Sequence, residues 1–110
     1  MKQLGLAVIL LLFMTPLAHA EAKGHCGEML KEAQAAVDHG KAGHANAVAE
    51  HADAMLKHGT ECEKESTAKD KVKEAMKHEQ EASEHGKAGH VDIALHHAEV
   101  ALKAAQEATK

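Results

Sequence analysis

The sequence predicts an all-α fold: an up-down-up-down four-helix bundle made of two duplicated helical hairpins. Three observations carry that prediction. Apolar residues recur at three- and four-residue spacing in four separate stretches. Short glycine-containing turns join the first stretch to the second and the third to the fourth. A shift of 46 residues superposes the two halves, so that His39 falls on His85, Gly40 on Gly86, His44 on His90, His51 on His97 and Leu56 on Leu102.

Residues 1–20 are expected to be a secretory signal peptide: Lys2, an apolar run from Leu4 to Met14, then Ala18-His19-Ala20 as a small-residue cleavage site. The run is too short to span a bilayer comfortably, and no second one follows. The expected mature chain, 21–110, is therefore periplasmic, with no membrane contact once the signal is removed.

The first helix, 25–39, follows from Met29, Leu30, Ala33, Ala36 and Val37. The turn "HGKAGH" at 39–44 leads into the second helix, 45–58, with Val48, Ala49, Ala52, Met55 and Leu56 on its stripe. The third helix, 67–85, has a weaker stripe of Val72, Ala75 and Met76, interrupted by Glu79 and Ser83; Ser66 and Thr67 are its candidate N-caps. "HGKAGH" recurs at 85–90 and leads into the fourth helix, 91–108, the most regular of the four. Gly40, Gly59 and Gly86 stand where helices are expected to stop, since glycine takes the left-handed position after a helix without steric cost.

Beyond residue 20 the chain has no Trp, Tyr or Phe, and its bulky apolar residues are few. A domain with so little to bury usually needs a disulfide, a metal or a partner subunit to hold it. All 13 basic residues are Lys, and the 17 acidic residues outnumber them. An acidic balance without Arg or aromatic platforms argues against nucleic acid as a partner. Ten of the 11 histidines lie beyond residue 20, where a typical domain of this size would hold roughly two.

Those histidines keep a step of seven. The second helix carries His44, His51 and His58; the fourth, His90 and His97; the third, His78 and His85; the first, His25, Glu32 and His39. Seven residues are about two helical turns, so each set forms a line with members roughly 10 Å apart, on the shoulder of the apolar stripe. In an antiparallel hairpin, residues at one level have a constant sum of residue numbers. A sum of 83 pairs His39 with His44, Glu32 with His51 and His25 with His58; a sum of 175 pairs His85 with His90, His78 with His97 and Lys71 with Ala104. The two lines of a hairpin either share a groove or both face away from it.

Paired rows of imidazole suit borderline divalent ions, copper, nickel and zinc, with carboxylates such as Asp38, Glu50 and Glu84 within a turn to complete a shell. His39, His44, His85 and His90, at one end of the bundle, would form one cluster or two. A solvated or pH-responsive surface inherited by duplication is the competing reading.

Cys26 and Cys62 most simply form a disulfide in an exported chain, clasping the open end of the first hairpin. In the chain-entropy model such a loop stabilises by roughly 4 kcal/mol. The alternative is a Cys₂His₂ site from His25, Cys26, His58 and Cys62, whose spacing matches no zinc-finger pattern. Met29, Met55 and Met76 sit on core stripes and read as packing.

Together the two "HGKAGH" copies, "EHADAMLKH" at 50–58 and "HHAEVALK" at 96–103 resemble the His-rich small metal-binding proteins of the bacterial periplasm, over most of 25–104. That resemblance implies a four-helix bundle that binds several divalent ions, copper, nickel and zinc among them, to buffer or sequester them. Two features depart from the family's pattern: Lys71 at a His-line position, and the cysteines.

No C-x-x-C-H, E-x-x-H or H-E-x-x-H pattern occurs, and position 82, which the last would need as His, is Ala. Catalysis has no support in the sequence. The expected function is a metal buffer. The alternatives are a metallochaperone delivering one ion to a transporter of unknown identity, and a metal-independent helical stress protein.

Overall fold

A computed structural model of the chain describes residues 24–110; the expected signal at 1–20 lies outside them. Four helices account for nearly all of the described residues: α1 (Gly24–Lys41), α2 (Ala45–Glu65), α3 (Lys69–Lys87) and α4 (Val91–Ala108). No strand occurs among the described residues. Each helix packs on its neighbour in the chain, and α1 closes on α4, so the helices form the four sides of an antiparallel bundle. The α1–α2 and α3–α4 grooves are opposite sides of that square.

Both "HGKAGH" turns end a helix in the same way. Gly43 and Gly89 take left-handed backbone, with φ of 83° and 81°. Gly43 N–H donates to the Gly40 carbonyl at 3.0 Å and His44 N–H to the His39 carbonyl at 2.9 Å. The second copy repeats this pattern, with His90 N–H to the His85 carbonyl at 2.8 Å. This is the Schellman arrangement, which satisfies carbonyls that a helix end would otherwise leave bare. Its longer bond joins the backbones of the two histidines that bracket the turn.

Gly40, Gly59 and Gly86 are not the helix stops the sequence predicts. All three are helical and buried. They are places of close approach: an added Cβ would lie 2.9 Å from Leu95 Cδ1 at Gly40, 2.8 Å from Met76 Sδ at Gly59 and 2.8 Å from the Ala45 carbonyl oxygen at Gly86. α2 therefore runs through Gly59 to Glu65, beyond the expected end at 58, and Cys62 lies inside the helix. Ser66 caps the end of α2 rather than the start of α3, and its Oγ accepts a 2.9 Å bond from Ala68 N–H.

The core is two apolar clusters stacked along the bundle. One, at the disulfide end, contains Met29, Met55, Cys62 and Val72; the other, at the turn end, contains Val37, Val48 and five alanines. Between them on α3 lies Glu79, fully buried, with neither carboxyl oxygen hydrogen-bonded. Burial pushes its pKa up to about 8. Ser83, also buried, donates from Oγ to Asp53 Oδ1 at 2.6 Å, and Lys87 Nζ lies 3.1 Å from Asp53 Oδ2, tying α3 to α2. The Ser83 hydrogen bond leads the effects that hold the Asp53 carboxyl below its ordinary range, ahead of the Lys87 charge.

Candidate metal centre

The His lines of each hairpin turn into their shared groove. In the first hairpin, His25 Nδ1 and His58 Nδ1 are 3.0 Å apart. One level up, His51 Nδ1 meets Glu32 Oε1 at 2.8 Å. The His39 ring stacks on His51 with centroids 5.0 Å apart, and His39 Nδ1 lies 3.4 Å from His44 Nδ1. Antiparallel packing brings each pair level, and the heptad step keeps successive pairs on one side of the helices. His44 and His90 are exposed; the other line histidines are half-buried, as expected of a shoulder position.

The second hairpin repeats the row with one addition. His78 Nδ1 and His97 Nδ1 are 3.2 Å apart, and Glu81 Oε1 lies 3.7 Å from each. One donor atom from each of the three lies within 4.8 Å of the others, the only such His, Cys, Asp or Glu group among the described residues. The His85 ring stacks on His97 at 5.8 Å and faces His90 at 5.8 Å, while His96 meets His97 edge-on.

Glu81 is the residue that the sequence reading misses. It is three positions after His78 and so shares its face of α3, but it falls outside the seven-residue step. Glu32 is the first hairpin's counterpart of His78, so each groove has one carboxylate at the corresponding middle rung, Glu32 with His51 and Glu81 with His78 and His97.

Two imidazoles and a carboxylate are a fitting donor set for a borderline dication, with a further position left for water or a neighbouring ring. An imidazole binds metal only when neutral. Burial holds His97 below the ordinary histidine range; Glu81 opposes this, and the charges of His78, His96 and His85 add to it. The ring is thus poised in its ligand form at neutral pH.

The row is not complete in both hairpins. Lys71 stands where the first hairpin has His25, and its ammonium pairs with Glu107 at 3.0 Å and Glu74 at 3.2 Å. Ring contacts among the described histidines all fall within a hairpin, so His39 with His44 and His85 with His90 are two separate pairs. The Cys₂His₂ alternative does not hold, because Cys26 and Cys62 are bonded to each other.

A family model described as small metal-binding protein matches residues 1–109. The chain belongs to the small metal-binding protein family. Curated proteins yield no match. Membership makes metal ions the ligands of this bundle, and the family is a binding family rather than an enzyme family.

Proposed function

We propose that the protein is a periplasmic buffer for divalent copper, nickel and zinc, taking up several ions per chain along its two histidine grooves. The ligands in this reading are His25, Glu32, His39, His44, His51 and His58 in the first hairpin, and His78, His85, His90 and His97 with Glu81 in the second. The observation that carries it is the convergence of His78, Glu81 and His97 on one point of an open groove, beside paired imidazoles at the other levels. Half-buried ligands on a groove suit exchange better than permanent retention: solvent reaches each rung, and no rung is closed over. The apolar run and small-residue site in 1–20 support export.

Equilibrium dialysis of residues 21–110 against Cu(II), Ni(II) and Zn(II), with bound metal counted per chain, tests the proposal. Several ions per chain, released near pH 5 as the imidazoles take up protons, are expected. A single tightly held ion would favour delivery to a transporter. No bound ion would leave a helical protein whose histidines serve another purpose.

A further inference from the structure

Every sulfur atom of the described residues belongs to one end of the bundle. Met29, Met55 and Cys62 are fully buried in the cluster there, and Cys26 and Met76 pack against it. Three helices contribute. On α2, Met55, Gly59 and Cys62 follow one another at four- and three-residue steps, and so line one face. On α1, Cys26 and Met29 are three apart and do the same. α3 sends Met76 across the gap that Gly59 leaves. The point where a Gly59 Cβ would stand is 2.8 Å from Met76 Sδ and 3.6 Å from Met29 Sδ, so both thioethers reach the same spot, one turn from Cys62.

These sulfurs differ in chemistry from the histidine grooves, although the His25–His58 rung lies at the same end of the bundle. Imidazole and carboxylate suit divalent ions of borderline character, whereas thiolate and thioether select Cu(I). With the disulfide closed, the cysteines offer no thiolate. We propose that reduction of the Cys26–Cys62 disulfide opens a sulfur-rich site for Cu(I), with both cysteines as thiolate ligands and the Met29 and Met76 thioethers beside them. A dithiol is the reductant: its thiolate attacks one cysteine sulfur, the S–S bond breaks, and its second thiol resolves the mixed disulfide. Two electrons and two protons pass to the cysteines, and the dithiol leaves as its own disulfide. Cu(I) then replaces the two thiol protons, which go to solvent, and its oxidation state does not change. Cys26 is half-buried at the start of α1 and gives both reductant and ion a way in.

The test compares oxidised protein with protein reduced by a dithiol and desalted without oxygen. Each is titrated with Cu(I) in competition with a chromophoric Cu(I) chelator. The chain has no Trp or Tyr, so a thiolate-to-Cu(I) charge-transfer band can be read without aromatic background. Reduced protein is expected to take up one more Cu(I) than oxidised protein, with that band and a sulfur shell in X-ray absorption. Met29→Leu or Met76→Leu, which keeps the packing volume, should weaken this ion by on the order of tenfold or more. Should reduction loosen the bundle, Cu(I) is expected to restore the lost helicity in circular dichroism. Equal uptake before and after reduction, a nitrogen-only shell, Met variants that bind as tightly as the parent, or helicity that Cu(I) does not restore would each overturn the proposal.

Discussion

Glu79 occupies in α3 the place that Ala33 occupies in α1 under the 46-residue correspondence, and both are fully buried. One hairpin thus fills that level with a methyl group and the other with an unpartnered carboxyl. With its pKa raised from an ordinary 4.5 to about 8, Glu79 is protonated in the folded chain across the pH range where the unfolded chain has lost the proton. The folded state then binds more protons, so stability falls as pH rises through that window and is greatest below the ordinary value. For metal-free protein, urea unfolding at pH 5 and pH 8 should show a drop attributable to this group of about 3–4 kcal/mol. Glu79→Gln, which cannot ionise, should abolish that part of the slope and be the more stable protein at pH 8. Parallel pH profiles for parent and variant would mean that the carboxyl finds a partner in solution. The sequence shows Glu79 as a break in an apolar stripe, but a break does not reveal whether the helix turns that position outward or buries it. Glu81 was hidden for a related reason. A strict seven-residue step follows one line along a helix, and a ligand three residues away enters the same site from beside that line.

Helix α4 has the limits its periodicity predicts, because no glycine interrupts it and the turn before it has a sequence-readable stop. α2 does not, and Gly59 is why. Glycine ends a helix by its backbone freedom and admits a neighbour by its missing Cβ, and a single sequence does not separate these uses. The structure does, and alanine substitutions should rank accordingly in thermal or urea unfolding. Gly86→Ala presses a methyl on the backbone of Ala45 and Ala49 in α2, which must move as a whole, and should cost about 1–3 kcal/mol. Gly59→Ala meets the end of the flexible Met76 side chain and should cost less. Gly89→Ala meets nothing, but it forces a Cβ onto left-handed backbone and should cost roughly 1 kcal/mol. Because Gly89 sets the bond between the His85 and His90 backbones, that variant should also weaken metal uptake at this pair. A Gly59 variant as costly as Gly86→Ala would show that Met76 is locked in place.

Across the whole molecule, duplication has produced two grooves on opposite sides of one thin core. The pairing of rungs follows from numbering alone once two helices are antiparallel, so most of the site's layout is legible in the sequence. The direction in which the lines face is not, since it depends on how each hairpin rolls to bury its apolar stripe. With the rings of one hairpin out of contact with those of the other, the grooves should bind as independent units. His39→Gln with His51→Gln should remove the ions held near the first turn and leave the second hairpin's count unchanged. His78→Gln with His97→Gln should do the reverse, and the four-residue variant should lose the sum. Stability provides the second readout. An ion that binds only the folded bundle adds about 2.7 kcal/mol at a hundredfold excess over its dissociation constant. The Tm gain on adding Zn(II) should therefore fall in each double variant by an amount that adds in the combined one, as it does for separated sites. A combined loss smaller than the sum would mean that one ion draws on both grooves, which this arrangement permits only if a second copy of the chain brings its own groove alongside.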